Sequence, residues 1–374
     1  MVMKHQPTLT ALLIFIIMNM SPDDELRSQI VSPEVHPDRT VTFRLLAPNA
    51  QGVMVKGLVG LEARALQKGE RGIWQATVGP LMPELHSYVF EVDGASLLDP
   101  NNRHVKKWLT CENMVEVPGS PPLLHEQQTV PHGVVHHHIY DSGSAGHERG
   151  VYVYTPPGYD PGQPSGYPLL VLLHGFGDDQ SAWLEVGRAN FIADNLTAAG
   201  KIEPLVIAMP YGHPLPLKRP STFGDDYASR NIEALDKDLQ QDLMPLLERT
   251  YHLTDSRTKR AITGLSMGGG QSLTIGLQHL DQFAWIGAFS SATPKGDLDL
   301  EFADLVKDVD QTNESIKLLW IGCGKDDFLI ERNQAFDAWL TKKGIDHTYR
   351  LTEGGHDWTV WRKYLAEFLP LLFQ

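Results

Sequence analysis

The chain has 374 residues, 42% of them hydrophobic and 21% charged, with a net charge of −14 at neutral pH. That length points to two domains, and the composition to a folded rather than a disordered chain. The acidic balance, without a cluster of Lys and Arg, argues against a binder of nucleic-acid phosphates and against attachment to an anionic membrane surface.

In chain order, Lys4 precedes the apolar run Ala11-Leu-Leu-Ile-Phe-Ile-Ile-Met18. The run is too short to span a bilayer but matches a signal-peptide core, although Asn19, Met20 and Ser21 do not form a small-x-small cleavage site. Residues 1–28 are therefore expected to be a signal-like or disordered segment, and the protein to be secreted or periplasmic. Residues 29–118 alternate as strands do, in Thr40-Val-Thr-Phe-Arg-Leu, Gly52-Val-Met-Val-Lys and Ser87-Tyr-Val-Phe-Glu-Val, with turns at Asp93-Gly94 and Asp99-Pro100-Asn101. This pattern predicts a small β-sandwich. Pro118-Gly-Ser-Pro-Pro122 then reads as the start of a stiff linker, bounded as 119–128.

From residue 129 to 374 the pattern changes to short apolar strands alternating with helices. The strands are expected at Pro168–Leu173, Pro204–Met209, Ala261–Thr263, Trp285–Phe289 and Ile316–Ile321. Ile232, Leu235, Leu239, Leu243 and Leu246 fall on one helical face. Strands of this kind suit a mostly parallel, doubly wound α/β sheet covered on both sides. His136, His137 and His138 lie in an apparent strand whose side chains alternate faces, so adjacent rings do not readily share a metal. Cys111 and Cys323 are the only cysteines; they exclude a disulfide framework, and Cys323, following an apolar strand, reads as a buried free thiol. No metal or cofactor is called for.

The decisive segment is Gly264-Leu-Ser266-Met-Gly268, with a strand before it and a helical pattern after it. Lifting a serine hydroxyl clear of a sheet requires a sharp turn, and the flanking glycines avoid collisions with the neighbouring strand and helix. A serine needs a base, and the base an acid, in the chain order Ser, Asp or Glu, His. Of the downstream histidines, His279 ends the helix behind the serine, and His347 belongs to the expected last strand, His347–Thr352. His356 follows the flexible Glu353-Gly-Gly355 beyond that strand, where ligands bind in open α/β sheets, and is the expected base. Gly322-Cys-Gly-Lys-Asp326-Asp327 should supply the acid, and either aspartate could orient the imidazole. The oxyanion donors are assigned to the Met267 N–H and to the Phe176 N–H in the loop after an early strand, beside Gly175. His174 is read as bracing that loop.

On these residues the region from Thr129 to Phe373 resembles the esterase D-like carbohydrate esterases of family 1, which include feruloyl and acetylxylan esterases. The matching segments are Arg149-Gly-Val-Tyr-Val-Tyr-Thr-Pro-Pro-Gly-Tyr159, Leu172-Leu-His-Gly175, Ala182–Asn190, Met209-Pro-Tyr-Gly-His213, Gly264-Leu-Ser-Met-Gly-Gly269 and Gly354-Gly-His-Asp-Trp358. The resemblance implies an α/β-hydrolase fold and a triad of Ser266, His356 and an aspartate. The family's Gly-x-x-Asp turn falls on Asp327, and Trp358 and Gly175 would border the substrate. The N-terminal region is similar to family 48 carbohydrate-binding, Ig-like modules, through Val41–Ala50, Gly72-Ile-Trp74 and Tyr88–Gly94. Trp74 is expected to pack its core rather than to stack on sugar.

The expected activity is cofactor-free acyl transfer that removes feruloyl or acetyl groups from a plant polysaccharide such as arabinoxylan. Enterochelin-type esterases also join a β domain to such a hydrolase, and their anionic substrates would call for a basic pocket mouth, for which Arg188, Lys218 and Arg219 are the candidates. A non-catalytic glycan binder and an acyltransferase are the remaining readings; the first predicts that Ser266→Ala leaves glycan binding intact.

Overall fold

The computed structural model describes residues 22–217, 226–294 and 296–374. The apolar run Ala11–Met18 lies outside them, as do Lys218 and Arg219. The final residues of the signal-like segment, Pro22–Ser28, form a helix. Among the described residues no helix is long and apolar enough to cross a membrane.

The N-terminal part consists of two antiparallel sheets. One is built on the strands Val41–Leu46 and Ile73–Val78, the other on Val53–Lys56, Glu84–Val92 and Cys111–Val117. Their alternate residues meet in a core that includes Val41, Phe43, Val55, Trp74, Tyr88 and Phe90. Trp74 is 7% exposed and its indole N–H donates to Ala47 O, so this ring is spent on packing. The second sheet ends in the hairpin Val105–Lys107 and Cys111–Val117, whose register pairs Lys107 with Cys111 and Lys106 with Glu112. Cys111 is exposed on this hairpin, and both cysteines are free. The segment 119–128 is pinned rather than free-standing: Glu126 Oε1 accepts from the Gly119 and Leu123 amides, and Asn195 Nδ2 donates to Leu124 O and Glu126 O.

The remainder is an eight-stranded sheet. In chain order its strands are β1 (Val134–Ser142), β2 (His147–Thr155), β3 (Leu169–Leu173), β4 (Val206–Pro210), β5 (Arg260–Gly264), β6 (Trp285–Phe289), β7 (Leu318–Gly324) and β8 (Thr348–Thr352). The spatial order is β1-β2-β4-β3-β5-β6-β7-β8, with β2 antiparallel to β1 and β4 and the rest parallel. This is the α/β-hydrolase arrangement. Strand alternation sorts the core: Leu170, Leu172, Ile207 and Met209 face one helical layer, and Leu169, Val171, Val206 and Ala208 the other. Leu85 and Met114 of the β domain join the first of these layers, so the two parts share a packed surface.

Three local expectations shift. The face of Ile232, Leu235, Leu239, Leu243 and Leu246 runs through a helix that breaks into a π segment at Leu239–Leu243, just before Pro245, which has no amide hydrogen to donate. The slip brings Leu247 into the core in place of Leu246. The last strand begins at Thr348, because the His347 imidazole is held by Asp337 and Ile345 O. In β1, His136 and His138 share the face toward Tyr251, while His137 stacks on Tyr152 from the other.

A buried ion pair ties β2 to the helix before the π segment. Arg149 Nε donates to Asp238 Oδ2 at 2.8 Å with both side chains inaccessible, and Tyr140 donates to the same oxygen. Charges so placed need every such partner, since desolvation is repaid only by satisfied geometry.

Candidate active site

Strand β5 lies in the middle of the sheet and delivers Ser266 to its carboxyl edge, immediately ahead of the helix Met267–Gln278. Ser266 sits at φ 52°, ψ −112°, a region that L-residues avoid at a cost of about 1–3 kcal/mol. Two backbone hydrogen bonds hold it there, Ser266 N–H to Phe289 O and Ala292 N–H to Ser266 O, each 2.8 Å. The glycines answer to space. A Cβ on Gly264 would stand 2.6 Å from Leu173 O, and one on Gly268 would stand 2.5 Å from the carbonyls of both Leu173 and His174.

His356 arrives from the loop after β8. Its Nε2 is 2.9 Å from Ser266 Oγ, and its Nδ1 lies 3.0 and 2.9 Å from the two oxygens of Asp327. Asp327 is 2% exposed, whereas Asp326 points to solvent and contributes its amide to Gly354 O. Burial alone would raise the Asp327 pKa. Hydrogen bonds from His356, the Leu329 amide and Ser290 outweigh it, and hold the carboxyl below its ordinary value. Asp327 is therefore an anion that fixes which imidazole nitrogen carries the proton. The structure thus joins Ser266, His356 and Asp327 in one hydrogen-bonded line and leaves Asp326 outside it. His279, at the end of the helix Met267–Gln278, instead faces Asp236.

The loop after β3 passes over the serine. A Cβ on Gly175 would meet Leu265 Cδ1 at 2.6 Å and Ser266 Cβ at 3.6 Å, which shows how closely this backbone approaches. His174 is buried beneath it and held neutral, its pKa lowered to about 4 chiefly by burial. In that state Nδ1–H donates to Gly175 O and Nε2 accepts from the Gly212 N–H, both at 2.8 Å. The Gly175 carbonyl and the Phe176 amide belong to one peptide plane, so His174 orients both. The Met267 amide begins the helix and has no intrahelical acceptor of its own. Phe176 borders the space in front of Ser266.

That space is a pocket of about 390 Å³ between the two parts of the chain. Its hydrolase wall includes Gly175, Phe176, Ser266, Phe328 and Trp358; its opposite wall includes Leu85, Lys106, Trp108 and Met114 from the β domain. Trp358 lines the pocket but is largely buried. It is 8% exposed and packs edge-to-face on Trp183 and Trp361, with centroids 5.1 and 5.3 Å away. Phe328 is the more accessible ring, 74% exposed and 4.3 Å from the His356 ring. Its place directly after Asp327 is the one signal in the sequence that singles it out. The β-domain residues gave no comparable signal. Arg188 is engaged with Glu116 and His104. Among the described residues no group of three His, Cys, Asp or Glu side chains is placed to hold a metal.

A family model described as "Putative esterase" matches residues 142–372. The chain is 29% identical over 349 residues to an endo-1,4-beta-xylanase/feruloyl esterase of Xylanibacter ruminicola, covering 91% of this chain and 46% of that protein. It thus spans about half the length of that relative. An acetyl esterase of Caldicellulosiruptor saccharolyticus is 29% identical over 227 residues, 53% of this chain and 80% of its own. Among solved structures, a CE1 ferulic acid esterase of Anaeromyces mucronatus superposes with a TM-score of 0.56 at 24% identity, over 66% of this chain and 93% of that one. The enterobactin esterase of Shigella flexneri gives 0.62 at 19% identity, over 88% and 92%. At such identities the two structures establish a shared fold.

Proposed function

Since the chain belongs to the esterase family, we propose that it is a carboxylic ester hydrolase that removes feruloyl or acetyl groups from plant cell-wall polysaccharide such as arabinoxylan. Cleavage proceeds through an acyl-enzyme on Ser266. The observation that carries this reading is the unbroken line from Ser266 through His356 to buried Asp327, opening on a pocket with aromatic walls.

In the first step His356 Nε2 takes the Ser266 proton as Oγ attacks the ester carbonyl, and Asp327 stabilises the imidazolium that forms. The carbonyl oxygen becomes an oxyanion, which the Phe176 and Met267 amides receive. The imidazolium then protonates the departing sugar oxygen, and the acyl group remains on Ser266. Water, deprotonated by His356, attacks that ester in turn, releasing the carboxylic acid and restoring the serine. No cofactor takes part. A polysaccharide substrate and the signal-like start of the chain together support an exported enzyme.

The test is acid release from feruloylated arabinoxylan and from acetylated xylan, side by side, with Ser266→Ala as control. Ferulate release that vanishes in the variant is the expected result. Acetate alone would make this an acetyl esterase. Neither product, from folded protein, would overturn the polysaccharide reading and leave siderophore esters as the next substrates to assay.

A further inference from the structure

The hairpin at the edge of the β domain does more than touch the hydrolase. Its tip, Trp108-Leu109-Thr110, is closed by a hydrogen bond from the Trp108 amide to Thr110 O. From there the Trp108 indole N–H donates to Phe176 O at 2.8 Å, across 68 residues of sequence. Phe176 is the residue whose amide faces the oxyanion in the mechanism above. Its own carbonyl belongs to the next peptide plane, so the two planes are joined only through the Phe176 Cα. His174 orients the first plane and Trp108 the second.

Packing reinforces the bond. Gly177, at φ +83°, sits so close to the tip that a Cβ there would stand 2.8 Å from both Trp108 Nε1 and Leu109 Cγ. On either side, Lys107 reaches Asp179 of the same loop at 3.6 Å and Arg188 reaches Glu116 at 3.5 Å. The exposed part of the Trp108 ring is not covered by this docking. The side chain is 44% exposed and lines the pocket in front of Ser266, together with Lys106.

We propose that the β domain is a working part of the active site: Trp108 is a positioning residue that holds the oxyanion loop through Phe176 O, and its ring forms the substrate wall facing Ser266. The proposal rests on the acyl-transfer reading given above. It assigns the wall to an ester with a flat or ringed group, aromatic acid or sugar, that can lie on the indole.

Trp108→Phe keeps a ring and removes the N–H, whereas Trp108→Ala removes both. Each is compared with the wild type in three measurements on the full chain, with thermal midpoints to establish folding. These are the rate of inactivation by a small alkyl fluorophosphonate, and kcat and KM on 4-nitrophenyl acetate and on methyl ferulate. The phosphonyl oxygen must enter the oxyanion site, so inactivation reports loop position without reference to the natural substrate. Trp108→Phe is expected to slow inactivation and lower kcat on both esters about tenfold with KM nearly unchanged, less than the loss of a direct oxyanion donor. Trp108→Ala is expected to raise KM for methyl ferulate in addition. Wild-type inactivation and kcat in Trp108→Phe would overturn the positioning role, as would an effect on KM alone. Equal KM values for methyl ferulate in the two variants would overturn the wall. Should the wild type cleave 4-nitrophenyl acetate but not methyl ferulate, the feruloyl reading falls, and the phosphonate and acetate data still decide the role of Trp108.

Discussion

Arg362, one turn into the helix that follows His356, forms a buried ion pair with Glu84 of the β domain, Nη2 to Oε1 at 2.6 Å. The same guanidinium donates through Nη1 to Val186 O, and His125 Nε2 lies 3.1 Å from the same Glu84 oxygen. One residue therefore connects the helix that follows His356, the helical layer beneath it and the β domain. Burial would raise the Glu84 pKa, but His125 and Arg362 hold it at about 2. Removing either partner leaves a buried charge uncompensated, so Glu84→Ala or Arg362→Ala should each destabilise the fold by about 3–5 kcal/mol. Because the folded pKa of Glu84 is depressed, its contribution is present above about pH 4.5 and is lost as pH falls through about 2. Denaturant unfolding of wild type and Glu84→Gln at pH 6 and pH 3 checks both statements, and the difference between them should shrink at the lower pH.

Asp178 titrates in the opposite sense. It is buried in the oxyanion loop, its Oδ1 lacks a hydrogen-bond partner among the described residues, and burial pushes its carboxyl up to about 7 against the pull of Lys106. A raised carboxyl pKa means that the folded state binds a proton the unfolded chain has already lost. Stability from this group therefore falls as pH rises from about 4 to about 7, and levels off above. The total is on the order of 4 kcal/mol. Asp178→Asn cannot ionise, so its stability relative to wild type should increase between pH 4 and pH 8. A difference that stays flat with pH would show that Asp178 ionises freely in the folded protein.

The two adjacent aspartates should separate sharply in kinetics. Asp327→Asn removes the anion that holds the His356 tautomer, and kcat should fall by about 10³–10⁴-fold. Asp326→Asn changes an exposed side chain, and kcat on 4-nitrophenyl acetate should stay within about twofold of wild type. Comparable losses in both would place the acid elsewhere.

Phe328 lies open beside His356 and has no packing role to protect. Phe328→Ala should therefore lower kcat/KM for methyl ferulate more than for 4-nitrophenyl acetate, by about tenfold in the ratio, since an aromatic contact is worth about 0.5–1.5 kcal/mol. Trp358→Ala, by contrast, opens a cavity against Trp183 and Trp361 and should lower thermal stability first.

The hydrogen-bonded line of Ser266, His356 and an aspartate was readable because its parts are local. Ser266 is fixed by the glycines two residues to either side, and His356 by a Gly-Gly turn after the last strand. The choice between Asp326 and Asp327 was not local, because burial separates them and burial depends on how β7 meets the Gly354 loop. The β-domain wall was out of reach for the same reason. Trp108 bonds across 68 residues and Arg362 across 278, and no periodicity records such pairings. Trp74 was legible as core because strand alternation puts it inside. The shift from Leu246 to Leu247 had a visible cause in Pro245, but the helical period offered no place for the extra residue.

The two thiols differ in a way that gives the protein a ready optical handle. Cys323 is buried in β7, and burial pushes its thiol up to about 12, so it stays unreactive near neutrality. Cys111 is exposed on the hairpin, beside Glu112 at the pocket rim and three residues from Trp108. A maleimide dye will therefore attach at a single place without any mutation. Such a label sits one residue from Glu112 of the pocket lining, where a change in emission on adding an ester would mark binding without a chromogenic substrate.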